Sequence, residues 1–412
     1  MKGSDKMAFE VNIMLLQFRV KNYRSIGDEV IIDLTAGSGR ELSSFLIEKN
    51  KVQILPVISM YGSNASGKSN IIEAMLGMFA NIAESHRYDE KYGSLSTPFL
   101  YDNALRNAPT EFEIFFALDK YEYQYGFITT SDTVHEEWLH RKTLSVNNTK
   151  EYIIFEREGN KIEFDSGYQN FEKLTEIIGK KNLAISFLAQ QKTETAKIFH
   201  DIYNWSSNIF SHSIGWHDDE LCARLYKKHK PLKLAFLNFI HEFDSSLEDI
   251  DVIEEFNKDG ESEYRAKVKH NNDWYPIDIE SDGTSKLFNM FIVLYASFNF
   301  PKEQSVFVCD ELDAFLHPLI LRRIVSMFHD KEVNKTGAQL IFTSHNTILL
   351  DKHEMRRDEI WFVEKNKKGY TTAYSLDSFK STNRQIRSDM SYGKHYLSGR
   401  FGAIPYSDNE EE

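Results

Sequence analysis

Apolar residues at Ile71, Ile72, Met75, Leu76, Phe79 and Ile82 recur every three to four positions, a spacing that predicts one long amphipathic helix. Ahead of it the chain reads as short strands. Met14–Val20 and Glu29–Leu34 are joined by a polar turn around Tyr23–Asp28, and Gln53–Met60 runs straight into a glycine-rich turn. From about Thr110 to Asp165 the pattern switches to aromatic-rich alternation, as in Phe112–Leu118, Glu122–Ile128 and Tyr152–Arg157, which predicts antiparallel hairpins. Helical periodicity dominates from Phe171 to about Phe243, and a hairpin follows near Asp251–Ile279. The last third alternates helix Gly283–Phe298, strand Ser305–Cys309, helix Pro318–His329 and strand Ala338–Thr343. Strand–helix alternation at both ends, around a middle of different texture, predicts an α/β domain with a mixed sheet, N-terminal antiparallel strands and a large α+β insertion. The expected divisions are 11–94 for the first half of the domain, 95–273 for the insertion, 274–405 for the second half and 406–412 for an acidic tail.

Composition narrows this. With 412 residues, 41% of them hydrophobic, the chain has the apolar mass for two or three globular domains. A net charge of −13 excludes a protein that coats nucleic acid with its whole surface. One stretch runs against that balance: Lys352–Arg400 holds 11 basic and 6 acidic residues, interleaved with Tyr370, Tyr374, Phe379, Tyr392 and Tyr396. Such a mix suits either contact with nucleic acid or an acidic partner, or a solvated domain edge with its aromatics packed inward. Two cysteines cannot form a disulfide framework, and Met1–Glu10 lacks the apolar core of a signal peptide. The longest apolar run, Phe288–Phe300, is interrupted by Asn289 and Asn299 and is too short to span a bilayer. The expectation is a cytoplasmic protein without a membrane partner. No sustained heptads suggest long coiled-coil arms.

The chemistry starts at Gly62-Ser63-Asn64-Ala65-Ser66-Gly67-Lys68-Ser69, followed by Asn70. It fits G-x-x-x-x-G-K-[ST] in full, between a predicted strand and a predicted helix. Glycines let backbone N–H groups turn inward around a phosphate, and the helix start adds a positive dipole. Lys68 supplies a point charge to the terminal phosphates and the Ser69 hydroxyl can ligate Mg²⁺. The apolar run Val306–Cys309 ends in Asp310-Glu311, which places a carboxylate for the metal shell beside one that can serve as general base. The strand ending at Thr343 continues into Ser344-His345-Asn346, where a histidine can orient water or touch the terminal phosphate. Ser281-Asp282-Gly283-Thr284-Ser285-Lys286 opens a long helix and offers a second anion-binding start. Asp313 and His317 with Asp310 form at best a weak zinc set.

Taken in order, these elements resemble the ATP-binding-cassette and SMC-type P-loop NTPases over Leu16–Ser69 and Ile279–Asp351. That resemblance implies that Ser281, Gly283 and Lys286 complete the nucleotide site of a second subunit in a head-to-head homodimer, and that Arg24, in Phe18–Ser25, approaches the phosphates. Glu280 departs from the usual residue before the signature serine. The later segments Glu311–Pro318, Arg357–Lys365 and Tyr396–Pro405 resemble the AbiLi/RloA-like ATP-binding proteins of phage-defence and abortive-infection operons. That group implies Gln190 as a metal-sensing glutamine, with Ser69 and Asp310 as the other metal-side groups. The implied cofactors are ATP and Mg²⁺.

The expected function is therefore Mg-dependent ATP hydrolysis in a dimer, or in a larger oligomer built from dimers. It would serve as a sensor or regulatory subunit in antiviral defence, beside a separate effector such as a nuclease. The acidic group Glu248, Asp249, Asp251, Glu254 and Glu255 lies on a predicted strand and reads as a solvated face, and no embedded two-metal nuclease pattern is visible. Two alternatives stand: an SMC-like DNA repair or maintenance ATPase, and a stand-alone toxin acting on nucleic acid.

Overall fold

The structure, a computed structural model, describes residues 13–89, 91–144, 150–212, 219–256, 262–299, 306–381 and 391–405. The expected acidic tail 406–412, the N-terminal stretch Met1–Glu10 and residues 382–390 of the basic stretch lie outside them.

Two sheets carry the molecule. The first is mixed, with six strands in the order Phe210–His212, Val306–Cys309, Gln339–Thr343, Val57–Tyr61, Ile360–Lys365, Thr371–Ser375. Its neighbours run parallel except the last pair. Strands of such a sheet are covered on both faces and become continuous apolar runs. Val57–Tyr61 and Val306–Cys309 are accordingly buried at every position. The second sheet is antiparallel, with seven strands in the order Lys161–Phe164, Glu151–Glu158, Val134–Thr143, Tyr121–Thr129, Thr110–Leu118, Ile13–Lys21, Val30–Asp33. The hairpins expected within an insertion thus extend the sheet begun by Ile13–Lys21, because Thr110–Leu118 pairs directly with that strand. Alternation had revealed the hairpins but carries no information about which strand accepts their edge.

Helix Lys68–Glu84 joins the layers. Its buried stripe includes Ile71, Ile72, Met75, Met78, Phe79 and Ile82, and Phe79 meets Trp205 of helix Lys197–Ser207 edge to face at 5.2 Å. A buried polar side chain helps pin the sheets together. The pairing of Ile13–Lys21 with Thr110–Leu118 slips between Leu15 and Gln17, and there the buried Gln339 amide accepts from the Leu15 N–H at 2.8 Å and donates to the Leu15 carbonyl at 2.9 Å. An amide side chain that mimics a strand neighbour satisfies main-chain groups that the irregularity would leave unpaired.

The second core cluster packs helix Asp282–Asn299 against Pro318–His329, Asp219–Lys228 and Lys230–Ile240. A three-stranded sheet, Asp249–Phe256, Ser262–His270 and Asp273–Pro276, flanks it. Of the basic stretch, Tyr392 and Tyr396 are buried, Tyr396 stacks on Phe362 at 5.3 Å, and Phe379 meets Phe401 at 5.5 Å. Four of the five named aromatics, Tyr374, Phe379, Tyr392 and Tyr396, therefore pack into or against the core, and the domain-edge reading of that stretch is the one the packing favours.

Candidate nucleotide site

Three parallel strands end at one edge of the mixed sheet, and each hands over to a loop with the expected chemistry. Val57–Tyr61 leads into Gly62–Ser69, Val306–Cys309 into Asp310-Glu311, and Gln339–Thr343 into Ser344-His345. Ligands of α/β sheets settle in the crevice beyond such strand ends.

The phosphate loop is built to close tolerances. A Cβ on Gly62 would lie 2.2 Å from the Val363 carbonyl oxygen, and one on Gly67 would lie 2.0 Å from the Thr371 hydroxyl. Gly67 also has φ +108°, a conformation side chains disfavour. The Thr371 hydroxyl donates to the Ser66 carbonyl at 3.0 Å and is hydrogen-bonded to the Ser25 hydroxyl at 2.7 Å, while Asn70 donates to that same serine. From the other side the Ser63 N–H donates to the Ala403 carbonyl at 2.9 Å, so the terminal segment braces the loop.

Does this loop fit a triphosphate? Lys68 Nζ donates to the Gly62 and Ser63 carbonyls at 2.9 and 3.0 Å. Burial pushes its pKa down, while Asp310, Glu311 and Asp313 pull it up. The Ser66 hydroxyl is buried with no hydrogen-bond partner in the structure. Ser69 stands exposed at the start of the helix, as do Asn64 and Ala65 on the loop. A cradle that side chains would fill, a cation resting on its own loop and an exposed hydroxyl at the helix start make a donor set suited to phosphate and Mg²⁺.

Asp310 and Glu311 follow with a sharp change of direction. Glu311 has φ +48°, a left-handed conformation that costs a non-glycine residue about 1–3 kcal/mol. The Thr343 hydroxyl donates to Asp310 Oδ1 at 2.5 Å and accepts from the Glu311 N–H at 2.7 Å. His345 is exposed, and its N–H donates to the Asp313 carboxylate at 3.2 Å. Among the described residues no group of three potential ligands surrounds Asp313 and His317, and the His317 ring instead caps helix Pro318–His329.

The remaining expected residues divide. Arg24 is exposed and pairs with Glu73, one turn into the phosphate-loop helix. Ser281 is exposed and caps its helix through Thr284 N–H at 3.2 Å, and a Cβ on Gly283 would meet the Phe315 carbonyl at 2.7 Å. Lys286, expected to reach across to a partner's nucleotide, is buried and donates to the Glu311, Leu312 and Ala314 carbonyls of its own chain at 3.0, 3.1 and 3.0 Å. Its cation is drawn inward because three converging carbonyls offer it full coordination. Gln190 is exposed, and its amide donates to Ser186 within its own turn at 3.1 Å; among the described residues no hydrogen bond ties it to Ser69 or Asp310. Sequence reasoning missed Thr371, Ser25, Thr343 and Ala403. Ser25, Thr343 and Ala403 lay inside segments already singled out, but for other residues.

Among known proteins, residues 57–351, well over half the chain, match the family described as "AAA domain, putative AbiEii toxin, Type IV TA system". A comparison with curated proteins finds no match. One similar solved structure is of the recombination mediator protein RecF-ATPrS in the RecFOR pathway. It covers 88% of this chain and 99% of that chain at 12% identity and a TM-score of 0.36, too distant a likeness to carry functional meaning.

Proposed function

The chain belongs to this AAA-domain family, with the fold of a P-loop ATPase of ABC/SMC type, and on that premise we propose that it hydrolyses ATP with Mg²⁺ as a head-to-head homodimer. We place it as the sensor or regulatory subunit of a bacterial anti-phage system whose effector, a nuclease, is a separate protein. The observation that carries the catalytic part is the convergence of three strand ends, which sets Lys68 in the field of Asp310, Glu311 and Asp313.

In this reading the N–H groups of Gly62–Ser69 wrap the β-phosphate, and Lys68 leaves its own carbonyls for phosphate oxygens, a stronger charge-assisted pairing. Ser69 and Asp310 would hold a divalent cation, which would supply charge neutralisation at the terminal phosphates. Glu311 takes the proton of the attacking water, and His345 orients that water or donates to the phosphate. The exposed Ser281 at the start of its helix, with Gly283 behind it, meets the nucleotide of the other subunit. Turnover then depends on assembly, which suits a sensor.

Mixing Mg-ATP with wild-type protein, Lys68→Ala and Glu311→Gln tests this directly. Lys68→Ala loses nucleotide binding; Glu311→Gln keeps ATP, stops turnover and accumulates as a dimer by native mass. Full turnover by Glu311→Gln, or binding by Lys68→Ala at wild-type strength, defeats the assignment. The matched family's description also names a toxin, which favours a second reading in which the chain itself acts on nucleic acid. Incubating pure protein with RNA and DNA in Mg²⁺ or Mn²⁺ separates the two, since cleavage without an added effector supports the toxin.

A further inference from the structure

Resting on the ATPase reading, we infer that Thr343 and Lys286 are positioning residues that grip the Glu311 main chain from opposite sides and so aim the catalytic carboxylate. Thr343 closes its strand and is fully buried. Its single hydroxyl spends its proton on Asp310 Oδ1 and its lone pair on the Glu311 N–H. The two acids are thereby linked through one atom, and a shift of the metal-side carboxylate moves the amide of its neighbour. The Thr343 carbonyl also accepts from the Leu312 N–H at 3.0 Å, which fixes the next peptide.

Lys286 takes the other side. Its ammonium has three donors, and the carbonyls of Glu311, Leu312 and Ala314 use all three. Burial lowers the lysine's pKa, yet the stem is long enough to deliver the charge to that loop. Glu311 is therefore held at its N–H and at its C=O, on either side of the Cα whose left-handed φ sets the direction of the side chain. Such a conformation persists only where its surroundings over-determine it. Lys286 also sits little more than one turn beyond Ser281 on a single helix, so the surface proposed to meet the second subunit is mechanically tied to the base of its own subunit.

The test uses the full chain and separates kcat from ATP binding. Thr343→Val removes the hydroxyl at constant shape. Losing a hydrogen bond to a charged group should lower kcat about 10- to 100-fold while ATP affinity stays within about threefold. Thr343→Ser restores the hydroxyl and should recover turnover. A serine variant as slow as the valine variant would show that the hydroxyl does not decide turnover, and a loss of ATP affinity in Thr343→Val would assign the effect to binding; either overturns the inference. If the valine variant does not fold, Lys286→Met serves: kcat falls while ATP still drives dimer formation. Loss of ATP-driven dimers at unchanged ATP binding would return Lys286 to a partner's nucleotide and overturn the clamp. A wild-type protein without turnover would instead overturn the ATPase reading itself.

Discussion

Replacing Gly62 by alanine adds one methyl group at the tightest point of the phosphate loop. That carbon would lie 2.2 Å from the Val363 carbonyl oxygen and 2.8 Å from the Ser66 hydroxyl, where ordinary contact begins near 3.4 Å. Something must therefore yield by about 1 Å, the kind of overpacking that costs about 1–3 kcal/mol. The carbonyl is the stiffer party, because strand Ile360–Lys365 is paired on both sides, to Val57–Tyr61 and to Thr371–Ser375. The loop moves instead, and the groups that cradle the phosphate move with it. A misplacement of that size costs about 100-fold where positioned groups must meet a ligand. We expect ATP affinity to fall by at least about 30-fold, with a modest loss of stability. Gly77 is the internal control. It lies on the phosphate-loop helix itself, an added Cβ meets only the Tyr23 hydroxyl at 3.8 Å, and alanine is better than glycine in a helix by about 1 kcal/mol. Gly77→Ala should bind ATP as the wild type does and melt at the same or a higher temperature. Titration with a fluorescent ATP analogue and a thermal melt read both variants. If Gly62→Ala binds within about threefold of the wild type, the loop is softer than packing allows and the reasoning is refuted.

Two further outcomes follow from buried charge. Burial holds the Lys68 ammonium below its ordinary pKa, and the triphosphate needs the protonated form, so ATP affinity should fall as pH rises through that lowered value, ahead of the titration of an ordinary lysine at about 10.4. Calorimetric titrations across alkaline pH check this; Lys68→Arg should flatten the profile, and a flat wild-type profile would contradict it. Arg356 is fully buried and donates to Asp358 at 2.9 and 2.7 Å and to the Gly39 and Glu41 carbonyls. Arg356→Met leaves Asp358 without its cation in the interior, so urea unfolding should show a loss of about 3–5 kcal/mol, and an unchanged midpoint would count against it.

What could be read from the sequence is what neighbours along the chain decide. The loop Gly62–Ser69, the amphipathic stripe behind it and the acids after Val306–Cys309 each carry their meaning within about ten residues, and the fold places them as their spacing implies. Ile360–Lys365 beside the phosphate-loop strand, and Phe210–His212 at the far edge, were not read as strands; pairing partners leave no mark in a local window. The same limit governs the site. Thr371 bonds to Ser66 across 305 residues and Gln339 to Leu15 across 324, and neither side chain carries a motif. Lys286 shows that limit in its sharpest form. A cation just past Ser281 and Gly283 suits an anion at the helix start, and its position in the sequence alone favours that reading. The decision lies in three carbonyl oxygens, supplied by a turn 25 to 28 residues away, whose left-handed Glu311 exposes them on the lysine's side. A solvated cation forfeits hydration on burial and accepts the move only where the fold replaces every lost contact. That replacement was legible in neither segment by itself, and it ties a residue expected to serve a second subunit to the Glu311–Ala314 turn of its own chain.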